Sequence, residues 1–459
     1  MTDASDDFDE AEARDAADAV YEALIARVGE GSPRPRLAPT RRVVELLGDP
    51  HRAAPVIHIT GTNGKTSTSR MIESLLRASG LRTGLLTSPH LDRFTERIRI
   101  DGEPISDEAV ARNWEEIVPF IAIVDAELEG AGDEPLTFFE TLTVLAFASF
   151  ADAPVDVVVL EVGMGGEWDS TNVADGQVAV FTPIDLDHQT RLGTTITEIA
   201  RTKSGIIKPA ASVVTAKQPD AALVVLEEAA DLTESTLALE GDAFDVLESR
   251  VAVGGQLVSI RGLAGEYRDI ALPLFGRHQA ENAAVAIAAV ETFIGGGAVR
   301  LATEVVEGGL GDAASPGRLQ PLAADPVVIV DAAHNPHGAE ALVAALDEYF
   351  DFDEVAFVFG VLADKDAVGM IDVLARVGGE FVVTRPDSER ARDVTDLAAV
   401  VGARVGAERM QPVERLDDAL DEARAWAAEA PKRAVVVTGS IALVGEAMAI
   451  AADRGWGRL

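Results

Sequence analysis

The chain has 459 residues, enough for two or three domains, and 47% of them are hydrophobic, so a sizeable core can be buried. The absence of cysteine excludes disulfides, a thiolate nucleophile and a cysteine zinc site, and a formal net charge of −38 argues against nucleic acid as a partner. We expect a soluble cytoplasmic protein, because no apolar run approaches the roughly 20 residues that span a bilayer and the acidic N-terminus is unlike a secretory signal. Acidic residues spread along the whole chain, a pattern typical of a halophilic protein surface.

The first half of the chain begins with a charged stretch at 1–16, which is predicted to be a flexible acidic N-terminus. An amphipathic helix is predicted from Ala17, on the spacing of Val20, Leu24 and Val28. Further helices are predicted at Lys65–Ala78, Leu136–Phe150 and Thr195–Thr202, and strands at Val56–Thr60, Thr83–Thr87, Val155–Val162 and Val178–Thr182. Continuous Val, Ile and Leu strands between helices favour a mainly parallel sheet that is covered on both faces.

The second half begins with short alternating segments at 237–275, which are predicted to be a few antiparallel strands. The glycine triplet Gly295–Gly297 is predicted to separate a domain at 17–294 from a smaller domain at 298–459. In the smaller domain βα alternation resumes, with strands predicted at Val327–Val330, Val355–Phe359, Phe381–Thr384 and Val435–Thr438. The expected fold class is therefore α/β, with a mainly parallel sheet domain and a Rossmann-like C-terminal domain.

The segment VIHITGTNGKTS, from Val56 to Ser67, predicts a strand that runs through a glycine loop into a helix. Backbone N–H groups at such a helix start form an anion cradle. This pattern predicts an ATP-phosphate site at Gly61, Thr62, Asn63, Gly64, Lys65, Thr66 and Ser67, with Lys65 on the β- and γ-phosphates and the Thr66 or Ser67 hydroxyl near Mg²⁺. The first glycine of GxxxxGK would fall on Ile59, so an ordinary glycine turn is the alternative.

Seven further segments follow in a fixed order: Ser88–Ile98, Thr137–Glu140, Glu161–Asn172, Asp187–Lys208, Gly276–Asn282, Ser315–Arg318 and Asp331–Pro336. Together with the phosphate loop they resemble the signature segments of the folylpolyglutamate synthase / dihydrofolate synthase family, within the Mur ligase superfamily. The resemblance implies a monomeric ATP-dependent ligase that joins L-glutamate to a folate-type carboxylate, dihydropteroate or a tetrahydrofolate polyglutamate, through an acyl phosphate. Such chemistry positions reactants and neutralises phosphoryl charge, and it requires no protein nucleophile.

The same resemblance implies a metal and catalytic set. Ser88 and Glu161 would hold Mg²⁺ with Thr66, and His188 would hold a second ion. Glu161 ends an apolar strand, where a carboxylate faces the usual ligand crevice of an open α/β sheet. Lys65, His188 and Lys203 would be catalytic. The family's counterpart of Lys203 is carbamylated, which needs a depressed amine pKa, whereas a surface helix lysine is the alternative.

Further binding residues are implied in the same way. Nucleotide contacts would come from Asn282 and, in the C-terminal domain, from Arg318, Asp331 and His334. Folate contacts would come from Thr137, Phe139 and Asp169, with Phe139 as a plain core residue the alternative.

Two other functions compete with this one. GTNGKTS has Thr66 where these synthases usually have glycine, and GTNGKT is commoner in Mur peptide ligases, so an amino-acid ligase for a cell-wall precursor is the first alternative. About 55 residues precede the loop, too few for the UDP-sugar domain of those enzymes. A non-catalytic nucleotide-binding module is the second alternative. Glu167 stands where the family usually has arginine, which leaves the exact pterin substrate open.

Overall fold

The computed structural model describes residues 10–29, 34–377 and 379–456. Its helices are α1 (Glu10–Ile25), α2 (Ala38–Leu46), α3 (Lys65–Ala78), α4 (Asp107–Ala131), α5 (Phe138–Asp152), α6 (Gln189–Leu192), α7 (Ile196–Ser204), α8 (Asp220–Leu232), α9 (Arg277–Gly295), α10 (Thr303–Gly311), α11 (Pro336–Tyr349), α12 (Ala367–Leu374), α13 (Val394–Val405), α14 (Leu416–Ala428) and α15 (Ile441–Asp453).

The strands are β1 (Val56–Thr60), β2 (Thr83–Leu86), β3 (Ile98–Ile100), β4 (Glu103–Pro104), β5 (Val157–Glu161), β6 (Gly176–Phe181), β7 (Ser212–Thr215), β8 (Thr236–Leu239), β9 (Asp245–Ala252), β10 (Gly255–Arg261), β11 (Glu266–Leu272), β12 (Gln320–Ala324), β13 (Val327–Asp331), β14 (Glu354–Phe359), β15 (Glu380–Val383), β16 (Met410–Pro412) and β17 (Arg433–Thr438). The predicted α/β class is confirmed.

The main sheet has eight strands in the order β4-β3-β2-β5-β1-β6-β7-β8. Strands β2, β5, β1, β6, β7 and β8 are parallel to their neighbours, and only the β2–β3 and β3–β4 pairs are antiparallel. Strand β1 is buried along its whole length between β5 and β6, as its continuous apolar run predicts. The carboxyl ends of β2, β5, β1 and β6 therefore lie side by side.

The segment at 237–275 is only partly as predicted. Strand β8 does not join an antiparallel group but pairs in parallel with β7, with Ser212 opposite Thr236. The other three strands form a separate sheet in the order β11-β10-β9. The prediction for β8 was wrong because one of its four residues is exposed and the other three are half-buried at the sheet edge, so their pattern resembles that of a small solvated sheet.

The first helix begins earlier than predicted. Helix α1 starts at Glu10 rather than at Ala17, so residues 10–16 are helical; residues 1–9 lie outside the described residues, and the flexibility of 1–16 stays a prediction. Ala13, Ala17, Val20 and Leu24 recur at helical spacing and are buried, which extends the apolar stripe two turns further than the acidic residues around it suggest.

The chain divides into two compact units. The first contains the chain up to Leu247 with Ser259–Ile270 and Glu281–Asp312, and the second contains Glu248–Val258, Ala271–Ala280 and the chain from Ala313. This division falls after α10 rather than at the Gly295–Gly297 triplet. Helix α10 packs on α3, where a Cβ on Gly309 would lie 2.8 Å from Leu75 Cα.

The second unit contains a six-stranded sheet in the order β12-β13-β17-β14-β15-β16. Its strands β13, β17, β14, β15 and β16 are parallel, and β12 adds an antiparallel edge. A core of buried aliphatic and phenylalanine side chains, among them Phe357, Phe359 and Phe381, holds helices against this sheet. In the described part of the chain, none of the helices has the length and apolar character needed to cross a membrane.

Candidate active site

The phosphate loop connects β1 to α3 and has two glycines that no other residue can replace without strain. Gly61 has φ +152°, and a Cβ there would lie 1.9 Å from Thr182 Oγ1. Gly64 has φ +86° and forms the N-cap of α3. The N–H groups of the first turn of α3, which Lys65, Thr66 and Ser67 begin, are therefore directed toward the loop, as an anion site requires.

Lys65 folds back over this loop. Its ammonium donates to the carbonyl oxygens of Gly61 at 3.2 Å and Thr62 at 3.1 Å. Thr62 in turn ties the loop to the segment after β6: its N–H donates to Pro183 O, and its hydroxyl bonds both the carbonyl and the N–H of Asp185. These contacts fix the conformation of the loop between β1 and α3.

Asn282, on α9, lies against the same loop. A Cβ on Gly64 would come within 2.7 Å of Asn282 Oδ1. The structure thus brings Asn282 to the phosphate loop although it lies 217 positions after Lys65 in the sequence. Its role as a nucleotide ligand stays a prediction.

Glu161, at the end of β5, is the strongest candidate for a metal ligand. It is 1% exposed, and its Oε1 accepts a hydrogen bond of 2.8 Å from the Thr66 hydroxyl. Within the described residues its Oε2 has no hydrogen-bond partner although it is buried. Burial raises the pKa of this carboxyl to about 7, against the opposing effects of the Lys65 charge and hydrogen bonds from Thr66 and the Ser88 backbone.

A buried carboxylate oxygen without a partner fits a cation, because a bound ion would satisfy it and offset its desolvation. The Thr66 hydroxyl beside Glu161 is a hard oxygen donor of the kind that Mg²⁺ prefers, and Ser88 is adjacent through its backbone N–H. The role of the Ser88 hydroxyl as a metal ligand stays a prediction. No group of three His, Asp or Glu side chains suited to a metal occurs among residues 10–29, 34–377 and 379–456. The site therefore fits a cation held by one carboxylate, hydroxyls, water and substrate, rather than by a cage of protein ligands.

A cavity of about 280 Å³ lies beside the phosphate loop. It is lined by the three predicted catalytic residues, Lys65, His188 and Lys203, together with Asp187 and the glycine-rich segment after β5. His188 has φ +51°, and its Nε2 lies 3.8 Å from Asp187 Oδ2. Sequence reasoning did not single out Asp187 as a site residue, although the Asp-His pair signalled it.

Lys203, on α7, is buried rather than on the helix surface. Its ammonium donates to Gly61 O at 2.7 Å, which joins α7 to the phosphate loop. Burial and the nearby Lys65 charge lower its pKa to about 7. The backbone of α7 can lie this close to the loop after β5 because residue 166 is glycine, where a Cβ would lie 2.8 Å from the Lys203 carbonyl oxygen. The alternative of a surface lysine is therefore wrong.

A second, larger cavity of about 610 Å³ holds the predicted folate residues Thr137, Phe139 and Asp169, and Ser88 as well. Gly163 and Met164 line both cavities, so the two adjoin at the loop after β5. The apolar walls of the larger cavity come from Phe139 and from Trp168, which sequence reasoning missed.

The larger cavity is also lined by an ion pair that sequence reasoning missed. Arg36 donates to both carboxylate oxygens of Glu140, at 3.0 and 3.1 Å. Glu140 caps the first turn of α5 by accepting from Thr137 N–H at 2.7 Å. Arg34 lines the cavity as well and pairs with Glu134. The partners are about a hundred residues apart along the chain, so no local pattern indicates them.

Asp169 is 4% exposed and is held by several donors. Its Oδ1 accepts from Thr171 N–H at 3.0 Å and from the Thr171 hydroxyl at 2.6 Å, and its Oδ2 accepts from Met164 N–H at 3.0 Å. Burial raises its pKa in spite of these hydrogen bonds.

The second unit contains the remaining predicted nucleotide residues, at the end of β13. Asp331 accepts from the N–H groups of Leu319 and Ala333, both at 2.9 Å, and burial raises its pKa while the Arg318 charge opposes that shift. His334 Nδ1 lies 3.0 Å from Ala332 O. Arg318, Asp331 and His334 thus belong to one local group within this unit, and their contact with nucleotide stays a prediction.

Comparison with known proteins places this geometry in a family. The Mur ligase middle domain matches residues 59–290, and the Mur ligase glutamate ligase domain matches residues 317–441. A dihydrofolate synthase/folylpolyglutamate synthase of Mycobacterium tuberculosis is 44% identical over 434 residues, which cover 90% of this chain and 89% of that protein.

Solved structures agree with the sequence comparison. The Mycobacterium tuberculosis folylpolyglutamate synthase complexed with ADP and AMPPCP superposes with a TM-score of 0.91 at 42% identity, covering 98% of this chain and all of the other. An Escherichia coli protein in complex with DHPP and ADP has a TM-score of 0.82 at 30% identity, covering 95% of this chain and 98% of the other. The chain described here belongs to the folylpolyglutamate synthase / dihydrofolate synthase family of the Mur ligase superfamily.

Proposed function

We propose that this chain is an ATP-dependent ligase that forms an amide between L-glutamate and a folate-type carboxylate, dihydropteroate or a tetrahydrofolate polyglutamate, through an acyl phosphate. The observation that carries the proposal is the pair of adjoining cavities that share Gly163 and Met164. One contains the phosphate loop and two lysines, and the other has aromatic walls with a buried carboxylate. An acid bound in the larger cavity can therefore present its carboxylate to a phosphate bound in the smaller one.

On this proposal, Lys65 and the first N–H groups of α3 bind the β- and γ-phosphates and stabilise the charge that develops during phosphoryl transfer. The Lys65 ammonium donates to two loop carbonyls, which keeps its charge beside the proposed phosphate position. Mg²⁺ would be held by Glu161, Thr66 and Ser88 and would supply charge neutralisation at the transferred phosphoryl group. His188 is the proposed ligand of a second ion.

The acceptor is proposed to occupy the larger cavity. Phe139 and Trp168 offer flat apolar faces for an aromatic ring system, and the Asp169 carboxylate offers a polar partner at its edge. Thr137, which also lines the cavity, is proposed to contact the ring. This arrangement favours a planar heteroaromatic acid over a sugar nucleotide. The Mycobacterium tuberculosis proteins described above carry folate-ligase names, which supports the same choice over a cell-wall amino-acid ligase.

Lys203 is proposed to be carbamylated when the enzyme is active. A neutral amine is the form that reacts with CO₂, and burial beside Lys65 favours that form near neutral pH. Carbamylation would replace the second cation of the smaller cavity by an anion next to Lys65. Growth of the signal at the carbamate carbon in ¹³C NMR under ¹³CO₂, absent from a Lys203→Met variant, tests this step.

In the second unit, Arg318, Asp331 and His334 are proposed to bind nucleotide. Asp331 has two oxygens that each accept one backbone N–H, which leaves a lone pair on each for a ribose hydroxyl. Substitution of Asp331 by asparagine should raise the KM for ATP and leave the KM for the acceptor unchanged. We also propose that the enzyme is a monomer, which light scattering after gel filtration tests.

Phosphate release from ATP tests the function. The enzyme is assayed with Mg²⁺ and L-glutamate over a range of salt concentrations, and dihydropteroate, tetrahydrofolate or a UDP-muramyl precursor is added in turn. Stimulation by dihydropteroate alone indicates dihydrofolate synthase activity, stimulation by tetrahydrofolate indicates tail extension, and stimulation by both indicates a bifunctional enzyme. Stimulation by the muramyl compound alone, or by none of the three, refutes the proposal.

A further inference from the structure

A buried hydrogen-bond chain connects the strand before the phosphate loop to the acceptor cavity. His58, in the middle of β1, is fully buried, and its Nε2 lies 2.9 Å from the Thr171 hydroxyl oxygen. The Thr171 hydroxyl in turn donates to Asp169 Oδ1 at 2.6 Å. Asp169 lines the cavity of about 610 Å³. Neither His58 nor Thr171 has a part in the chemistry described above.

The direction of each hydrogen bond in this chain follows from the chemistry of its last member. An ionised Asp169 accepts only, so the single proton of the Thr171 hydroxyl is directed to it. That hydroxyl must then accept from His58, which places the imidazole proton on Nε2. Nδ1 is left as a buried acceptor, and it has no hydrogen-bond partner in the described part of the chain. The unpaired Nδ1 is unfavourable, so the hydrogen bond from His58 Nε2 to Thr171 is formed at a cost in stability.

We propose that His58 and Thr171 are positioning residues for the acceptor: through the Nε2–H···Oγ–H···Oδ1 chain they fix the Asp169 carboxylate in the orientation that binds the folate-type ring. The Thr171 side chain can rotate only if its hydroxyl loses one of two buried partners. Asp169 Oδ1 is therefore held in one direction, and Oδ2, bonded to Met164 N–H, is held in the other. This proposal rests on the proposed function of the larger cavity.

The test separates the KM for the acceptor from kcat and from the KM for ATP. Thr171→Val keeps the shape of the side chain and removes the hydroxyl. Loss of a hydrogen bond to a charged group should raise the KM for the pterin acceptor about tenfold. The KM for ATP and kcat at saturating acceptor should stay within about twofold, and Thr171→Ser should restore the KM. His58→Gln, which keeps an N–H donor, should raise the KM less than His58→Ala does.

Thr83→Val is the matched control. Thr83 is a fully buried threonine whose hydroxyl donates at 2.6 Å to another buried carboxylate, Glu73, away from both cavities. The Thr83→Val substitution should lower the free energy of unfolding about as much as Thr171→Val does, and it should leave every KM unchanged. If Thr171→Val and Thr83→Val change the kinetic constants alike, the positioning role is overturned.

Asp169→Asn distinguishes failure of this proposal from failure of the proposed cavity. If it raises the acceptor KM while Thr171→Val does not, the hydrogen-bond chain is refuted and the cavity stands. If Asp169→Asn leaves the acceptor KM unchanged, the assignment of the cavity is refuted and the chain with it.

Discussion

Replacement of Gly64 by alanine tests whether Asn282 lies against the phosphate loop in solution. Two separate penalties are expected. The backbone at φ +86° is unfavourable for any residue with a Cβ, by about 1–2 kcal/mol. The new Cβ would also lie 2.7 Å from Asn282 Oδ1, so the amide must leave its preferred rotamer, at a further cost of about 1 kcal/mol.

A double-mutant cycle isolates the second penalty. In the Asn282→Ala background the obstructing amide is absent, so Gly64→Ala should weaken ATP binding less than it does in the wild type. A difference of about 1 kcal/mol corresponds to about a fivefold smaller loss of affinity. Isothermal titration with a non-hydrolysable ATP analogue measures all four affinities.

Gly80→Ala is the control for backbone strain. Gly80 follows the same helix, has φ +85°, and a Cβ there would meet nothing within 4 Å. It should lower stability by the strain alone and leave the affinity for ATP unchanged. Additive effects of Gly64→Ala and Asn282→Ala, within about 0.4 kcal/mol, would refute the contact between Asn282 and the loop.

Three further predictions concern charge. Lys65→Ala should lower kcat by about a thousandfold, because on the proposed function this lysine stabilises the transferred phosphoryl group. Circular dichroism should stay unchanged, because its two hydrogen bonds go to carbonyls of the loop and not to those of a helix or strand interior. Glu161→Gln should raise the Mg²⁺ concentration for half-maximal activity by at least about tenfold, as a titration of activity against Mg²⁺ would show. His58 has a pKa of about 3 because of burial, far below that of a free imidazole. Between pH 6.5 and 3 the unfolded chain therefore binds a proton at His58 that the folded chain does not. Through His58, each unit by which the pH is lowered in this range reduces the free energy of unfolding by about 1.4 kcal/mol. Urea unfolding at several pH values should find this dependence reduced in His58→Gln.

The parts of the fold that were predictable are those in which local pattern and tertiary context agree. Strand β1 and helix α3 coincide with the predicted Val56–Thr60 and Lys65–Ala78, since a buried apolar run, a glycine loop and an amphipathic helix each leave a local signal. Strands β12 and β16 were missed because they are short edge strands whose pairing, rather than composition, defines them. The predicted start of helix α1 was too late in the sequence because the buried face begins with two alanines. Alanine is only weakly hydrophobic, so it stands out from acidic neighbours less clearly than leucine does.

The parts of the site that were not predictable depend on contacts between distant segments. The Lys203 ammonium meets Gly61 O across 142 residues, and His58 meets Thr171 across 113. Arg36 and Glu140 are 104 apart. Motif spacing locates each residue on its element, whereas only the strand order determines which elements become neighbours.

Strand order also explains why acid activation suits this sheet. Ser88 follows β2, Gly163 follows β5, Gly61 follows β1 and His188 follows β6, and these four strands are consecutive and parallel in the sheet. With neighbouring strands about 4.8 Å apart, four consecutive carboxyl ends span roughly 15 Å, about the length of a nucleotide's phosphates plus the acid they activate. The metal candidates, the phosphate loop and the acceptor wall are thus supplied by loops whose spacing the backbone hydrogen bonds fix. An antiparallel neighbour between β2 and β6 would direct one of these loops to the opposite edge, so the parallel order is a requirement of the chemistry and not only of the fold.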